Sequence, residues 1–255
     1  MKLQSIVKAT LGAAALALLL SPTFGSPQTV PLDQKIQENA AAALQKVEKF
    51  KGVSAGSDDG IVTLSGTVDL YIDKVNAEKR VRKIKSVDGV RNHIQVAGKQ
   101  VSDAELGEAL ANKLRYDRVG RGIVFNSLTV GVENGTVTIG GNVRDYPDRD
   151  SALAIAEITP GVKDVIDEIS VAPLSNFDDD LRVQLALSIY GQPSLQKYAI
   201  DPQAPIRIVV VGGHVELAGV VMNEIDRQTA YMQASSVPGV FSVNNQLIVA
   251  TNPVR

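Results

Sequence analysis

One pattern constrains this chain more than any other: a nine-residue strand motif that occurs three times. Gly60-Ile61-Val62-Thr63-Leu64-Ser65-Gly66-Thr67-Val68 is matched by Gly135-Thr136-Val137-Thr138-Ile139-Gly140-Gly141-Asn142-Val143. Both are matched by Gly213-His214-Val215-Glu216-Leu217-Ala218-Gly219-Val220-Val221. Each copy opens on a turn glycine and then alternates with period two, as a half-buried strand does. Val62, Leu64 and Val68 share a face with Gly66, and the same holds around Gly141 and Gly219. A glycine recurring on an apolar face predicts that another backbone, here expected to be a helix, passes close to it.

With those three glycines superposed, the copies align downstream without a gap. Ala77, Ala152 and Ala230 coincide, and four residues on so do Val81, Ala156 and Ala234. That spacing predicts a helix with small residues against the sheet. Ser86-Val87, Gly161-Val162 and Gly239-Val240 end the helix, with glycine as the stop in two copies. A last strand carries Val90, Ile94 and Val96, then Val165, Ile169 and Val171, then Val243, Leu247 and Val249. Upstream, Asp33, Asp103 and Asp178 each stand three residues before an aliphatic and are expected to be helix N-caps. A second alternating strand follows each helix and meets the first motif at Asp58-Asp59-Gly60, Glu133-Asn134-Gly135 or Gly212-Gly213, a hairpin signal.

The expected fold is therefore α+β: three tandem αββαβ two-layer sandwich modules over residues 32–97, 102–172 and 177–250, after a signal peptide at 1–25. A unit this small buries only roughly 60% of its unfolded surface, so neighbouring modules are expected to pack on one another. The signal is read from Lys2 and Lys8, the apolar run Ala9–Leu20 and the small residues around Thr23 and Gly25; an uncleaved N-terminal anchor is the alternative. The run is short for a membrane span. There is no cysteine, which excludes disulfides, thiolate metal sites and a lipid-bearing cysteine, and fits a bacterial cell envelope.

The D-x-x-[IL] opening, the G-x-V-x-[LI]-x-G strand, the helical alanine, the G-V break and the closing V-x-N-x-[IL]-x-V strand resemble the BON domain. Asn92, Asp167 and Asn245 occupy the polar position of that last pattern. The resemblance implies a periplasmic or otherwise exported envelope location, no catalysis, and binding of anionic phospholipid or support of envelope integrity under osmotic stress. Its motifs are structural, specific for fold and weak for mechanism. Ser86 departs from the usual glycine, the first strand of the first copy is weak around Gly56 and Ser57, and a long proline-containing segment from Gln192 to Pro205 precedes the first strand of the third.

Little in the sequence supports an enzyme. Neither His93 nor His214 has a second ligand nearby, so a triad or zinc site has nothing to build on. Gly52-Val53-Ser54-Ala55-Gly56 spells G-x-S-x-G but is followed by a turn and a strand where the nucleophile elbow needs a helix. Gly120-Arg121-Gly122 and Gly212-Gly213 lack phosphate-loop spacing. Asp178-Asp179-Asp180 reads as helix-start acid, stabilised by the dipole, and not as an EF-hand. No catalytic residue, metal, cofactor or small-molecule substrate is expected.

One surface carries a functional expectation. The second helix of the first copy is read as holding Lys74, Lys79, Arg80, Arg82, Lys83 and Lys85, with Asp73 and Glu78 as the nearby acids. Ala77, Val81 and Ile84 fall at helical spacing, which turns most of the cations to solvent. Such a cluster suits an anionic membrane surface; a merely solvated face is the bland alternative. Arg115, Arg118 and Arg121 with Tyr116 form a second, smaller cluster. The rival function is a periplasmic scaffold for envelope proteins with no lipid preference. Nucleic acid is disfavoured, because the formal net charge is −2 and aromatic residues for base stacking are few.

Overall fold

A computed structural model describes residues 32–116, 123–201 and 205–251. The expected signal peptide lies outside them, as do Arg118 and Arg121. Three modules follow one another, each with helix, antiparallel hairpin, helix and a last strand. The first comprises α1 (Leu32–Gln45), β1 (Val53–Asp58), β2 (Ile61–Val68), α2 (Tyr71–Val81) and β3 (Gly89–Val96). The second comprises α3 (Asp103–Tyr116), β4 (Ser127–Glu133), β5 (Thr136–Val143), α4 (Tyr146–Glu157) and β6 (Asp164–Val171). The third has α5 (Asn176–Gly191), a short α6 (Gln196–Ala199), β7 (Ile206–Val211), β8 (His214–Val221), α7 (Glu224–Ser235) and β9 (Ser242–Val249).

Each module has its own three-stranded sheet with the motif strand in the middle. β2 pairs antiparallel with β1 and parallel with β3, and the other two sheets repeat this. The parallel pair requires a crossover, which the second helix supplies. Both residues of each hairpin turn have positive φ: Asp59 and Gly60, Asn134 and Gly135, Gly212 and Gly213. That is the type I′ geometry whose twist matches the flanking strands. β1 runs unbroken through Gly56 and Ser57.

The predicted core residues are buried in all three modules: Ile36, Leu44, Leu64, Ala77 and Ile94; Leu106, Leu110, Ile139 and Ala152; Leu181, Leu185, Leu217 and Ala230. The modules also lend residues to one another. Tyr71 of the first packs against the second core. Val124 and Phe125, just before β4, pack against the third. In the third module, Leu195 and Tyr198 come from the long proline-containing segment before the first strand, and both are buried.

Two expectations are corrected. The backbone that crowds the core-face glycines is a strand and not a helix. A Cβ on Gly66 would lie 2.0 Å from the Gly52 carbonyl oxygen, one on Gly141 2.1 Å from that of Ser127, and one on Gly219 1.9 Å from that of Pro205. At each site a carbonyl at or just before the start of the first strand lies against the glycine of the motif strand, where φ is +99° to +124°. The three aspartates, likewise, do not cap their own helices. Asp33 accepts hydrogen bonds from the N–H groups of Asp59 (3.1 Å) and Gly60 (3.0 Å). Asp103 accepts from Asn134 and Gly135, and Asp178 from Gly212 (2.8 Å) and Gly213 (2.9 Å). They pin the first helix to the hairpin turn. Capping falls to Ser102 and Ser175, whose hydroxyls accept from the N–H of Glu105 and Asp178.

Candidate functional site

The basic cluster divides in the folded chain. α2 ends at Val81, one turn earlier than the spacing predicted, with Arg82 as its C-cap; Lys83 and Lys85 lie in the turns that follow. Two of the six cations serve the fold. Arg82 binds Glu78 through Nη2 (2.7 Å) and Nε (3.0 Å), and half-buried Lys74 sits 6.0 Å from the centre of the Tyr71 ring. Lys79, Arg80, Lys83 and Lys85 are exposed and meet no carboxylate among the described residues. Asp73, one of the two acids expected near them, is buried.

The fold does not need these four cations. In the common register their places are taken by Ala154, Ile155, Ile158 and Pro160 in the second module. In the third they are taken by Met232, Gln233, Ser236 and Pro238. The three helices pack alike, so the charge is specific to the first module. Of the second predicted cluster, Arg115 and Tyr116 are exposed at the end of α3.

The buried polar groups fasten elements within their own module. Asp73, Asp148 and Asp226 recur at one register position in the first turn of the second helix, a repeat that the apolar spacing does not reveal. Each meets a residue from the segment before the first strand: Lys49 for Asp73 (3.3 Å), Asn126 for Asp148 (2.9 Å), Tyr198 for Asp226 (2.6 Å). Burial, then Asp226, raise the Tyr198 hydroxyl to about 12. The Tyr71 hydroxyl is held against Asp164 at the junction of the first two modules, and burial followed by Asp164 raises it to about 12.

The polar position of the last strand has an equally local task. Asn92 donates to the Lys74 carbonyl (3.0 Å) and accepts from the Ile94 N–H. Asn245 donates to the Arg227 carbonyl (3.0 Å) and accepts from Leu247. Asp167 cannot donate, so the Arg149 side chain reaches over to it instead. Each fastens the last strand to the helix above it.

The residues singled out for chemistry are occupied otherwise. Ser54 lies on β1, its hydroxyl donating to the Ser65 carbonyl (3.2 Å), in a strand that leads into a hairpin. Asp178 is spent on its turn and Asp179 on Arg182 (2.6 Å). Among the described residues no group of three His, Asp or Glu side chains converges as metal ligands would. No helix among them is long and apolar enough to cross a membrane. His93 is exposed; His214 is exposed too, with Nδ1 2.8 Å from the Ser242 hydroxyl.

A profile of the BON domain matches residues 32–98, 102–173 and 194–251. The chain belongs to the BON domain family. The third match begins after α5, yet Leu181, Leu185 and Ile189 of that helix complete the core of the third BON module. Comparison with curated proteins returns no significant match. Among solved structures, the C-terminal domain of CdsD, the structural protein of the type III secretion system of Chlamydia trachomatis, is similar at 15% identity. Its TM-score is 0.24, with 84% of this chain and 96% of that one covered. The periplasmic domain of the type III secretion inner membrane protein PrgH from S. typhimurium is similar at 8% identity and a TM-score of 0.22, covering 84% and 100%.

Proposed function

We propose that this BON protein is an exported, non-enzymatic component of the bacterial cell envelope that attaches to anionic phospholipid through its first module. The observation that carries the reading is the set Lys79, Arg80, Lys83 and Lys85: exposed, without carboxylate partners among the described residues, and absent from the same place in the other two modules. Each cation at an anionic bilayer contributes on the order of 1 kcal/mol, so the four together hold a weak, salt-sensitive peripheral contact. Cations at a helix C-terminus also favour the helix, but modules two and three form theirs without them. The reading is supported further by the signal-like N-terminus and by the BON fold, in which the buried polar groups serve packing.

A periplasmic protein scaffold is the second reading. The third module supports it by exposing Val183 and Leu187 on α5 and Ile225 and Met232 on α7. Flotation with vesicles of anionic against neutral phospholipid separates the two. The lipid reading predicts co-flotation with anionic vesicles alone, lost in high salt and lost when Lys79, Arg80, Lys83 and Lys85 are changed to glutamine. Absence from both vesicle types discards it in favour of the scaffold.

A further inference from the structure

Between the second and third modules lies a cleft of about 920 Å³. One wall is the outer face of α3, the other the helix-free face of the third sheet, and β4 forms its base. The hairpin register fixes what β4 shows to this cleft. Glu133 and Thr136 flank the two-residue turn and exchange hydrogen bonds, so along β4 the alternate residues Leu128, Val130 and Val132 turn N–H and C=O away from β5. Among the described residues, no hydrogen bond from another loop or turn reaches those groups. They form an open sheet edge, which templates extended polypeptide.

The third module shows how the same edge is closed. There the buried Arg182 lies across β7 and its Nη2 donates to the carbonyl of Val210 (2.7 Å). Val210 pairs with Val215 as Val132 pairs with Val137. The residue of α3 in the place of Arg182 is Gly107, four after the turn-pinning aspartate in both modules. A Cβ there would sit 3.6 Å from Val132 Cγ2, an ordinary contact. Among the described residues, glycine thus leaves the edge bare where a side chain would fit, and Ala104 and Ala111 widen the gap along the helix. Across it, Val220 and Ile248 are 49% and 66% exposed on the third sheet.

The geometry points to β4 as a docking edge for an extended peptide segment of another polypeptide, added antiparallel as a fourth strand. Its side chains alternate, an apolar set meeting Val220 and Ile248 and a small set filling the space beside Gly107. For that direction, the charges lining the cleft set the charge order of the segment. Glu108 lies toward the hairpin end of α3 and Arg115 toward the start of β4, both lining the cleft. They are about 10 Å apart by helical rise, the length of about three extended residues. The segment therefore carries a basic residue near its N-terminal end and an acidic one near its C-terminal end. Backbone pairing supplies the affinity and the flanking pockets the selectivity, as in other strand additions.

The test uses a capped peptide alternating valine and threonine, with lysine near its N-terminal and glutamate near its C-terminal end. The expected result is saturable binding that slows amide exchange of Leu128, Val130 and Val132 in the wild-type protein, with the charge-exchanged peptide weaker. A peptide with proline at the pairing positions cannot donate and is expected not to bind. Gly107→Arg, built to close β4 as Arg182 closes β7, is expected to weaken binding by about tenfold or more, since it competes for the edge hydrogen bonds. Gln37→Arg, at the same place in the first module, leaves it unchanged. Binding that is equal in Gly107→Arg and wild type, protection on β1 or β9 in place of β4, or no binding at all overturns the proposal. So does protection of the β4 amides by self-association without peptide, which makes a second copy the occupant.

Discussion

The aspartate at the start of each module offers the sharpest check on how these modules are held together. In the third, Asp178 is only 2% exposed and its two carboxylate oxygens take the N–H groups of Gly212 and Gly213 at 2.8 and 2.9 Å. Asp178→Ala removes two charge-assisted hydrogen bonds and strands the N–H of Gly213, which is buried beneath Phe241. Hydrogen bonds to a charged group contribute about 1.5–3 kcal/mol each, but Gly212 sits at a turn open to water, so one full loss and part of a second give about 2–3 kcal/mol. Local opening of the β7–β8 turn is then easier by about two orders of magnitude. Native-state amide exchange reads this directly at Gly212 and Gly213, while circular dichroism checks that α5 survives on its Ser175 cap. A helix that melts while the turn amides stay protected would show that Asp178 acts as a cap, and the account of the turn pin would be wrong.

Three other substitutions or conditions test the fold from different sides. Ser86 holds a φ of +70° where the other modules have Gly161 and Gly239; Ser86→Gly relieves that strain and is expected to stabilise the first module by about 1 kcal/mol, read as a raised Tm. Gly141→Ala places a Cβ 2.1 Å from the Ser127 carbonyl at a φ of +99° and is expected to cost about 3 kcal/mol or more in urea denaturation, with a cost near that of an ordinary exposed glycine refuting the close approach. The pKa of Asp33 is lowered, first by the Gly60 N–H and then by the Ser57 hydroxyl. Its pinning therefore stabilises the first module above the ordinary carboxylate range and is lost as pH falls below about 4, so Asp33→Asn flattens the acid limb of the melting profile.

The module and its threefold repetition were written in the spacing of apolar residues, because a strand or helix must bury one face and the period of that face is visible in one dimension. The hairpin turns, the cores around Leu64, Ile139 and Leu217, and the family are legible once the copies are superposed on Gly66, Gly141 and Gly219. Those glycines announce a close approach but not its partner, since a backbone carbonyl lying against them leaves no trace in side-chain identity. Asp33, Asp103 and Asp178 look like caps in sequence because a helix-start aspartate most often is one; only the packed module brings the turn amides of a segment some thirty residues away within reach. The basic residues were all found in the sequence. Which of them stay in solvent was decided by where α2 ends and by Glu78 claiming Arg82. The open edge of β4 lay beyond sequence altogether. Gly107 means nothing until a second module shows, with Arg182 over Val210, what the same position does when it is filled.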